Sequence, residues 1–435
     1  MPFSLLLAAV IVATELTRRR FGQIDFLIPV SALMFLCFVV APLMLPIYQA
    51  NDLGAWNWIF ERGIEGWRNC VSILLAGVLY SLAVWVYLNT PASLLIRKTP
   101  RLGSTSATRL VTIAVLLLVI GLVAIGLFAE QRGGLVIAVT EAAIFKTSEE
   151  SLGSLAFAIK LSPVATVSSF IFIHLSGAQR TRFGRILFFA LFTVALVVSL
   201  LGLFLLGGRV SLIFYLLTFV LGELAYRQAR IRLIPSLLTF SFFILPVILF
   251  GKSSLRLFSD DFSWSEIIDD FVDSPATIVR LFVLEFSFPW VNVANYIALT
   301  PEQISFRWFQ DVPLGVIYLL PKLLLGIQLP PPINVIYDEV INAPVPTDIV
   351  SFGYVSAGLA GVLVMGVVYG LALRFAESVF SDKSSRISCL LRSAWLLLLG
   401  SQVMYGSPYH FFLGAFSLIV GTSLLFFAGP KFKAP

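Results

Sequence analysis

Charge is scarce in this chain. Only 12% of its 435 residues are Asp, Glu, Lys or Arg, about half the roughly 25% carried by a soluble domain. Hydrophobic residues make up 58%, and the mean hydropathy is +0.94. A core of this size in water needs a charged shell, and lipid is the solvent that removes the need. Histidine is nearly absent, with His174 and His410 alone, so no metal cluster follows from imidazoles. The three cysteines, Cys37, Cys70 and Cys389, are far apart in apolar surroundings, and neither a disulfide framework nor metal spacing follows from them. Missing too are GxxxxGK[ST], a nucleophile elbow, HExxH and paired CxxC. Without a cytoplasmic domain to carry it, ATP hydrolysis is excluded. The net charge of +6 is no nucleic-acid signature, because its bases sit in short runs between apolar segments.

Long apolar runs are what the chain does have. About 20 residues at 1.5 Å rise cross the hydrocarbon. On that measure about eleven transmembrane helices are expected, near 2–16, 24–47, 69–90, 110–128, 154–176, 186–206, 210–226, 233–251, 351–373, 389–406 and 411–428. The first is read as a retained span, since Arg18, Arg19 and Arg20 follow it rather than precede it. Basic residues set the orientation. With that first run cytoplasmic, the cytoplasmic connections carry Arg18 to Arg20; Arg97, Lys98, Arg101 and Arg109; Arg180, Arg182 and Arg185; Arg227, Arg230 and Arg232; Arg374, Lys383, Arg386 and Arg392; and Lys431 and Lys433. Every one of them is basic, which places the N-terminus outside and the C-terminus in the cytoplasm.

The expected architecture is an all-α polytopic membrane protein in three parts: a transmembrane bundle over 1–251, a long extracytoplasmic loop over 252–350, and further transmembrane helices over 351–435. The loop opens on an acidic stretch from Asp260 to Asp273. Its apolar stretches 275–297 and 312–329 read as interfacial amphipathic helices. The proline-rich run "LPPPINVIYDEVINAPVPTD" reads as an ordered loop over the bundle mouth.

Polar residues at or in the membrane are the candidates for chemistry. Arg209, in "LLGGRVS", stands at the outward start of a span and suits bidentate phosphate binding, or marks the boundary of a tight hairpin. Lys160 lies about 9 Å inside its span; it suits a pyrophosphate oxygen, or snorkels to the interface. Arg280 and Arg307 sit among aromatic and apolar residues, as anion and sugar ligands or in structural cation–π contacts. Asp348, before the span that starts near Ile349, is a base toward a hydroxyl or a helix N-cap. His410, in "YGSPYHFFLG", is a base, a sugar ligand or an interfacial anchor.

Three stretches, "GGRVSLIFYLL" at 207–217, "RWFQDVPLGVIYLLPKLLLGIQLP" at 307–330 and "PTDIVSFGYVSAGLAGVLVMGVVYG" at 346–370, resemble the bacterial O-antigen polymerase (Wzy-type oligosaccharide repeat-unit polymerase) family. They carry an outward arginine, an Arg, Gly, Tyr-Leu pattern, and a Tyr-x-x-x-Gly-x-x-Gly span start. The chain departs from the family pattern at Leu329-Pro330, where the family has Ile-Pro, and at Val355-Ser356, where it has Asn. O-antigen ligases carry a loop histidine that this loop lacks, which favours polymerase over ligase.

The resemblance implies a metal-independent glycosyltransferase of the bacterial inner membrane. It would join undecaprenyl-pyrophosphate-linked repeat units on the outer face, with no cofactor and no nucleic acid. A chain-length regulator and a flippase are the implied partners. Arg209, Arg280, Arg307 and Lys160 would bind donor pyrophosphate and glycan, and Asp348 or His410 would assist the acceptor hydroxyl. The rivals are an O-antigen ligase-like enzyme, a polysaccharide transporter and a non-catalytic assembly component. Transport is disfavoured by finding only Lys160 clearly inside a span.

Overall fold

A computed structural model of the chain describes residues 2–17, 25–50, 66–95, 105–139, 156–206, 209–227, 282–283, 285–320, 329–341, 346–382 and 385–428. Every regular element among them is helical. In chain order the α-helices of six residues or more are α1 (Pro2–Thr17), α2 (Leu27–Phe35), α3 (Ala41–Ala50), α4 (Gly66–Asn89), α5 (Ala107–Gln131), α6 (Ala156–Leu161), α7 (Ala165–Ala178), α8 (Arg182–Leu205), α9 (Arg209–Tyr226), α10 (Phe288–Leu299), α11 (Asp311–Ile317), α12 (Ile333–Ile341), α13 (Ile349–Val379), α14 (Arg386–Gly400) and α15 (Pro408–Ala428). A π turn at Leu36–Val40 joins α2 to α3, and a 3₁₀ turn at Ser162–Val164 joins α6 to α7.

Among the described residues, seven stretches can cross a membrane by length and apolar composition: Leu27–Leu45, Trp67–Asn89, Ala107–Gln131, Ala158–Ala178, Arg182–Leu205, Ile349–Val379 and Pro408–Ala428. Two more of the expected spans, 2–16 and 210–226, form shorter apolar helices. The one expected at 389–406 is α14 extended by a 3₁₀ turn at Ser401–Val403. The span expected at 233–251, the acidic stretch 260–273 and Arg280 lie outside the described residues. Val115, Leu116, Val119, Leu122 and Val123 of α5 and Phe183, Ile186, Phe189, Val194 and Val197 of α8 are exposed. Water would penalise such a belt, and lipid does not.

Polar residues in the connections start and join the helices. Ser106, Thr181 and Ser385 cap α5, α8 and α14 by accepting from Arg109 N, Gly184 N and Ser388 N. Among the described residues, four of the bases assigned to one side from sequence bind at helix ends. Arg109 donates to Ala428 O at 3.0 Å and Arg374 to Thr90 O at 2.9 Å. Arg386 donates to Glu223 at 2.7 Å, and Glu223 also pairs with Arg227 at 2.7 Å.

Helix α13 packs along α4, α10 lies against both, and α2 lies against α14. Gly366 and Gly370 let α13 press onto α4: side chains there would meet the carbonyls of Leu79 and Ala83. This is the small-xxx-small device that brings helix backbones together without bulky side chains between them.

Near the end of its first third, α13 is broken. Ala357 is at φ −159°, ψ 36° and Gly358 at φ 60°, ψ −142°. Gly353 and Gly361 face each other across the bend with no space for a side chain. The break frees the carbonyls of Val355 and Ser356 from helical partners, and a distant segment takes them up. Arg307 N donates to Val355 O at 3.0 Å and Trp308 N to Ser356 O at 2.9 Å. To reach them, Trp308 and Phe309 adopt positive φ of 48° and 60°.

The segment before α13 departs from its expected form in two places. The stretch at 288–299 is no interfacial helix, since Trp290, Val291, Val293, Ala294 and Tyr296 are buried between α4 and α13. The proline-rich run is not wholly loop either. Its prolines cluster at 330–332 and 344–346, leaving Ile333–Ile341 free to form α12, with Ile333, Ile336, Tyr337 and Val340 along one face.

Candidate functional site

Asp348 immediately precedes α13 and caps it. Its Oδ1 accepts from Val350 N at 2.9 Å and Ser351 N at 3.0 Å, and its Oδ2 accepts from the Ser351 hydroxyl. The residue is 0% exposed. Burial pushes its carboxyl up to about 7, against the lowering effect of the Ser351 hydroxyl and the capping N–H groups. Of the two sequence readings, the cap is the one its geometry displays, and its oxygens are turned inward. Around it lies a buried polar network. Tyr296 Oη meets Thr347 Oγ1 at 3.0 Å, Asn292 donates to Pro346 O at 2.9 Å, Tyr337 donates to Asn292 Oδ1 at 2.9 Å, and Asn295 donates to Tyr337 Oη at 3.0 Å. Tyr296 and Tyr337 stack with ring centroids 4.5 Å apart. Burial pushes both phenols up, so they act as neutral hydrogen-bonding groups.

Arg307 is only 7% exposed and is engaged by protein groups. Its Nε and Nη2 grip Asp311 at 2.7 Å each, and Nη2 also donates to Pro331 O at 3.1 Å. Asp311 Oδ1 accepts in addition from Ile333 N at 3.2 Å. The fork clamps the start of α11 to the start of α12. Its partner is a carboxylate rather than the aromatic ring of the cation–π reading. Asp311 was missed from sequence, although Arg-x-x-x-Asp is a one-turn spacing that signals such a pair.

Lys160 and His410, 250 positions apart, come to one aromatic group. Lys160 Nζ donates to Tyr318 O, at the C-terminal end of α11, at 3.5 Å, and lies 5.8 Å from the Tyr409 ring centroid. That ring packs edge-on against Tyr318 at 5.7 Å and against the His410 imidazole at 5.5 Å. His410 Nδ1 is 2.8 Å from Ser407 Oγ. All four residues are half-buried. The turn bearing His410 is fastened to Asp348's neighbours: Ser407 N donates to Thr347 O at 3.1 Å, and Gly406 packs onto the backbone of Asp348 and Ile349. Gly315 brings α11 against Pro408 in the same way. A cation, an imidazole and two phenol rings therefore share one half-open site, opposite the basic end of the bundle. It can bind an anion and stack a sugar face.

Of the remaining arginines, Arg209 opens α9. A second buried charge site was not foreseen. Arg392, read as a base of a connection, is 2% exposed inside the bundle and pairs with Glu377 at 2.9 Å. It also donates to Phe380 O at 3.2 Å and lies over the Phe26 ring at 5.4 Å. Lys160 is thus not the sole charge in the interior. No metal-binding group of His, Cys, Asp or Glu occurs among the described residues.

The fold and site define an all-helical protein with span-length apolar helices and a polar cluster at one bundle end. No family model, curated protein or solved structure matches the chain.

Proposed function

We propose that this protein polymerises undecaprenyl-pyrophosphate-linked oligosaccharide repeat units into O-antigen or a related surface polysaccharide, on the periplasmic face of a bacterial inner membrane. The observation that carries the reading is the meeting of Lys160 and His410 around Tyr409, at the bundle end opposite the basic connections. In this reaction the acceptor hydroxyl oxygen of an incoming repeat bonds to the anomeric carbon of the growing glycan. The bond from that carbon to the undecaprenyl pyrophosphate oxygen breaks, the hydroxyl proton passes to a base or solvent, and the lipid pyrophosphate leaves. Positive charge beside the departing oxygen lowers the barrier most effectively in a site where water is scarce. Lys160 supplies that charge, the tyrosines offer sugar-stacking faces, and α11, which carries Tyr318 at its end, is tied to the start of α12 by Arg307–Asp311. Asp348 holds the α13 start against the turn of His410. Arg209 and Arg280 remain donor-binding candidates on the sequence resemblance alone.

Deleting the gene and examining surface glycan by gel ladder, with lipid-linked intermediates extracted in parallel, tests the reading. A surface product capped by single repeats, with the ladder restored by complementation, supports polymerase. Full-length lipid-linked polymer with no surface glycan points to the ligase-like alternative. Transport is a second reading, favoured by the broken helix α13 and the interior Glu377–Arg392 pair, both common along transport pathways. An unchanged ladder with unchanged intermediates would turn attention to it.

A further inference from the structure

Helix α11 turns its polar side inward. Asp311, the one charged residue between 308 and 320, is 3% exposed and held by Arg307. Gly315, on the same side, packs onto Pro408 and Phe412 in the first turn of α15. The outer face carries Val312, Pro313 and Val316, and the turns that continue the helix add Leu320. With Trp308 just ahead of the helix, the result is an apolar stripe at four-residue spacing. Trp308 is 74% exposed, Val312 40%, Val316 47% and Leu320 50%. A helix lying on a surface in water turns its apolar face to the protein and its polar face out. This one is reversed.

Two neighbouring helices fix the level of the stripe. α15 meets α11 at Pro408, its first residue. From there its 21 residues rise about 30 Å, the thickness of the hydrocarbon core. In α13, Ile349 to Gly353, Val355 and Ser356 are buried before the break, whereas Leu359, Leu363, Val364, Val367 and Val368 after it are exposed. From Leu359 to Val379 the rise is again about 30 Å. The break in α13 and the start of α15 therefore mark one boundary. Trp308 stands at it, because its N–H donates to Ser356 O at 2.9 Å.

We infer that Trp308, Val312, Val316 and Leu320 form a lipid-contact surface, seated at the acyl-chain boundary of the leaflet on the Asp348 side of the bundle. An indole suits that level, with its ring among acyl chains and its N–H near the head groups. Backbone at that level must find its partners within the protein. The N–H groups of Arg307 and Trp308 do so, at Val355 O and Ser356 O. The segment that repairs α13 is thereby held to the bilayer as well as to the bundle. The inference does not depend on the polymerase reading.

Nitroxide accessibility tests it. The full-length Cys70→Ser protein, reconstituted in liposomes of phosphatidylethanolamine and phosphatidylglycerol, is labelled in turn at Val312→Cys, Val316→Cys and Leu320→Cys. Cys37 and Cys389 are buried and take up little label in the folded protein. Collisions with oxygen, which enters hydrocarbon, are compared with collisions with a polar nickel chelate, which is excluded from it. Glu302→Cys, exposed beside Gln303, and Leu363→Cys, exposed on α13, are the references. The oxygen-to-nickel ratio at the three stripe sites should match that of Leu363→Cys and exceed that of Glu302→Cys about tenfold. A ratio like that of Glu302→Cys puts the stripe in water and overturns the inference. Exclusion of both reagents gives the stripe to protein, a second copy where spin–spin broadening accompanies it, and overturns it equally. A label-free measurement uses the indole itself. The emission lost in Trp308→Phe should be quenched by brominated acyl chains, and quenching by aqueous acrylamide alone would contradict the assignment.

Discussion

Replacing Asp311 with alanine should unfold this protein more readily than any change on its lipid-facing surface. The carboxylate accepts two 2.7 Å bonds from Arg307 and a third, at 3.2 Å, from Ile333 N. Arg307 and Asp311 are 7% and 3% exposed, so solvent cannot replace what is removed. Breaking a buried pair by deleting one partner costs about 3–5 kcal/mol, chiefly because a charge is left buried without compensation. The orphaned Ile333 N–H adds about 1–3 kcal/mol. The pair Arg307→Met with Asp311→Leu leaves no stranded charge and should cost less than Asp311→Ala alone. A thiol-reactive dye reports the melt directly, because Cys37 and Cys389 are buried thiols that become reactive on unfolding. Asp311→Ala should melt several degrees below the wild type, with the double variant between them. A single variant that melts with the wild type, or a double variant below the single, would refute the account of Arg307 as a structural clamp.

Gly358 occupies φ 60°, ψ −142°, a region essentially closed to other residues, so Gly358→Ala should lower stability by about 1–3 kcal/mol in the same melt. Asp348 should give the protein a pH dependence. Its folded carboxyl is raised to about 7, so its contribution is fully present below the unfolded value near 4 and is lost as pH rises through about 7. The wild-type melting temperature should therefore fall between pH 5 and 8 by more than that of Asp348→Asn, and parallel curves would contradict this. At Gly406 a side chain would run into the Ile349 backbone, so Gly406→Ala should displace the His410 turn and shorten the polymer at unchanged protein level, read by gel ladder and immunoblot. Glu377→Gln leaves Arg392 buried beside a neutral amide and should cost about 3–5 kcal/mol, again visible as a lower melt.

Hydropathy and charge made the bundle legible, because both act on whole segments and survive local irregularity. Helix ends meet in pairs at Arg109, Arg374 and Arg386, bases that the sequence places in connections. Asp348 as a cap was legible because capping depends on neighbours two and three positions away. What stayed hidden depends on distance. The apolar run around Trp290 looks the same whether it lies on a membrane surface or between α4 and α13. Arg392 reads as a boundary base until Glu377, fifteen positions earlier, is seen across from it. Lys160 and His410 each suggested an anchor on its own, and only the packing of α15 against the turn that follows α6 brings them to one ring. The helix break had a signal, the Tyr354-x-x-x-Gly358-x-x-Gly361 pattern, but the segment that repairs it begins at Arg307, with nothing in the intervening sequence to name it.

That repair has a consequence for how the chain is made. A nascent α13 emerging into the bilayer carries two open carbonyls, at Val355 and Ser356, and lipid offers them no donor. Their donors, Arg307 N and Trp308 N, are synthesised earlier and belong to a segment outside the span-length helices. The final fifth of the chain thus acquires its settled shape through a rendezvous with a segment already translated, rather than by threading straight helices one after another. Shortening the connection between residues 309 and 349 should arrest assembly at that rendezvous, leaving spans inserted in the membrane yet open to protease at the break.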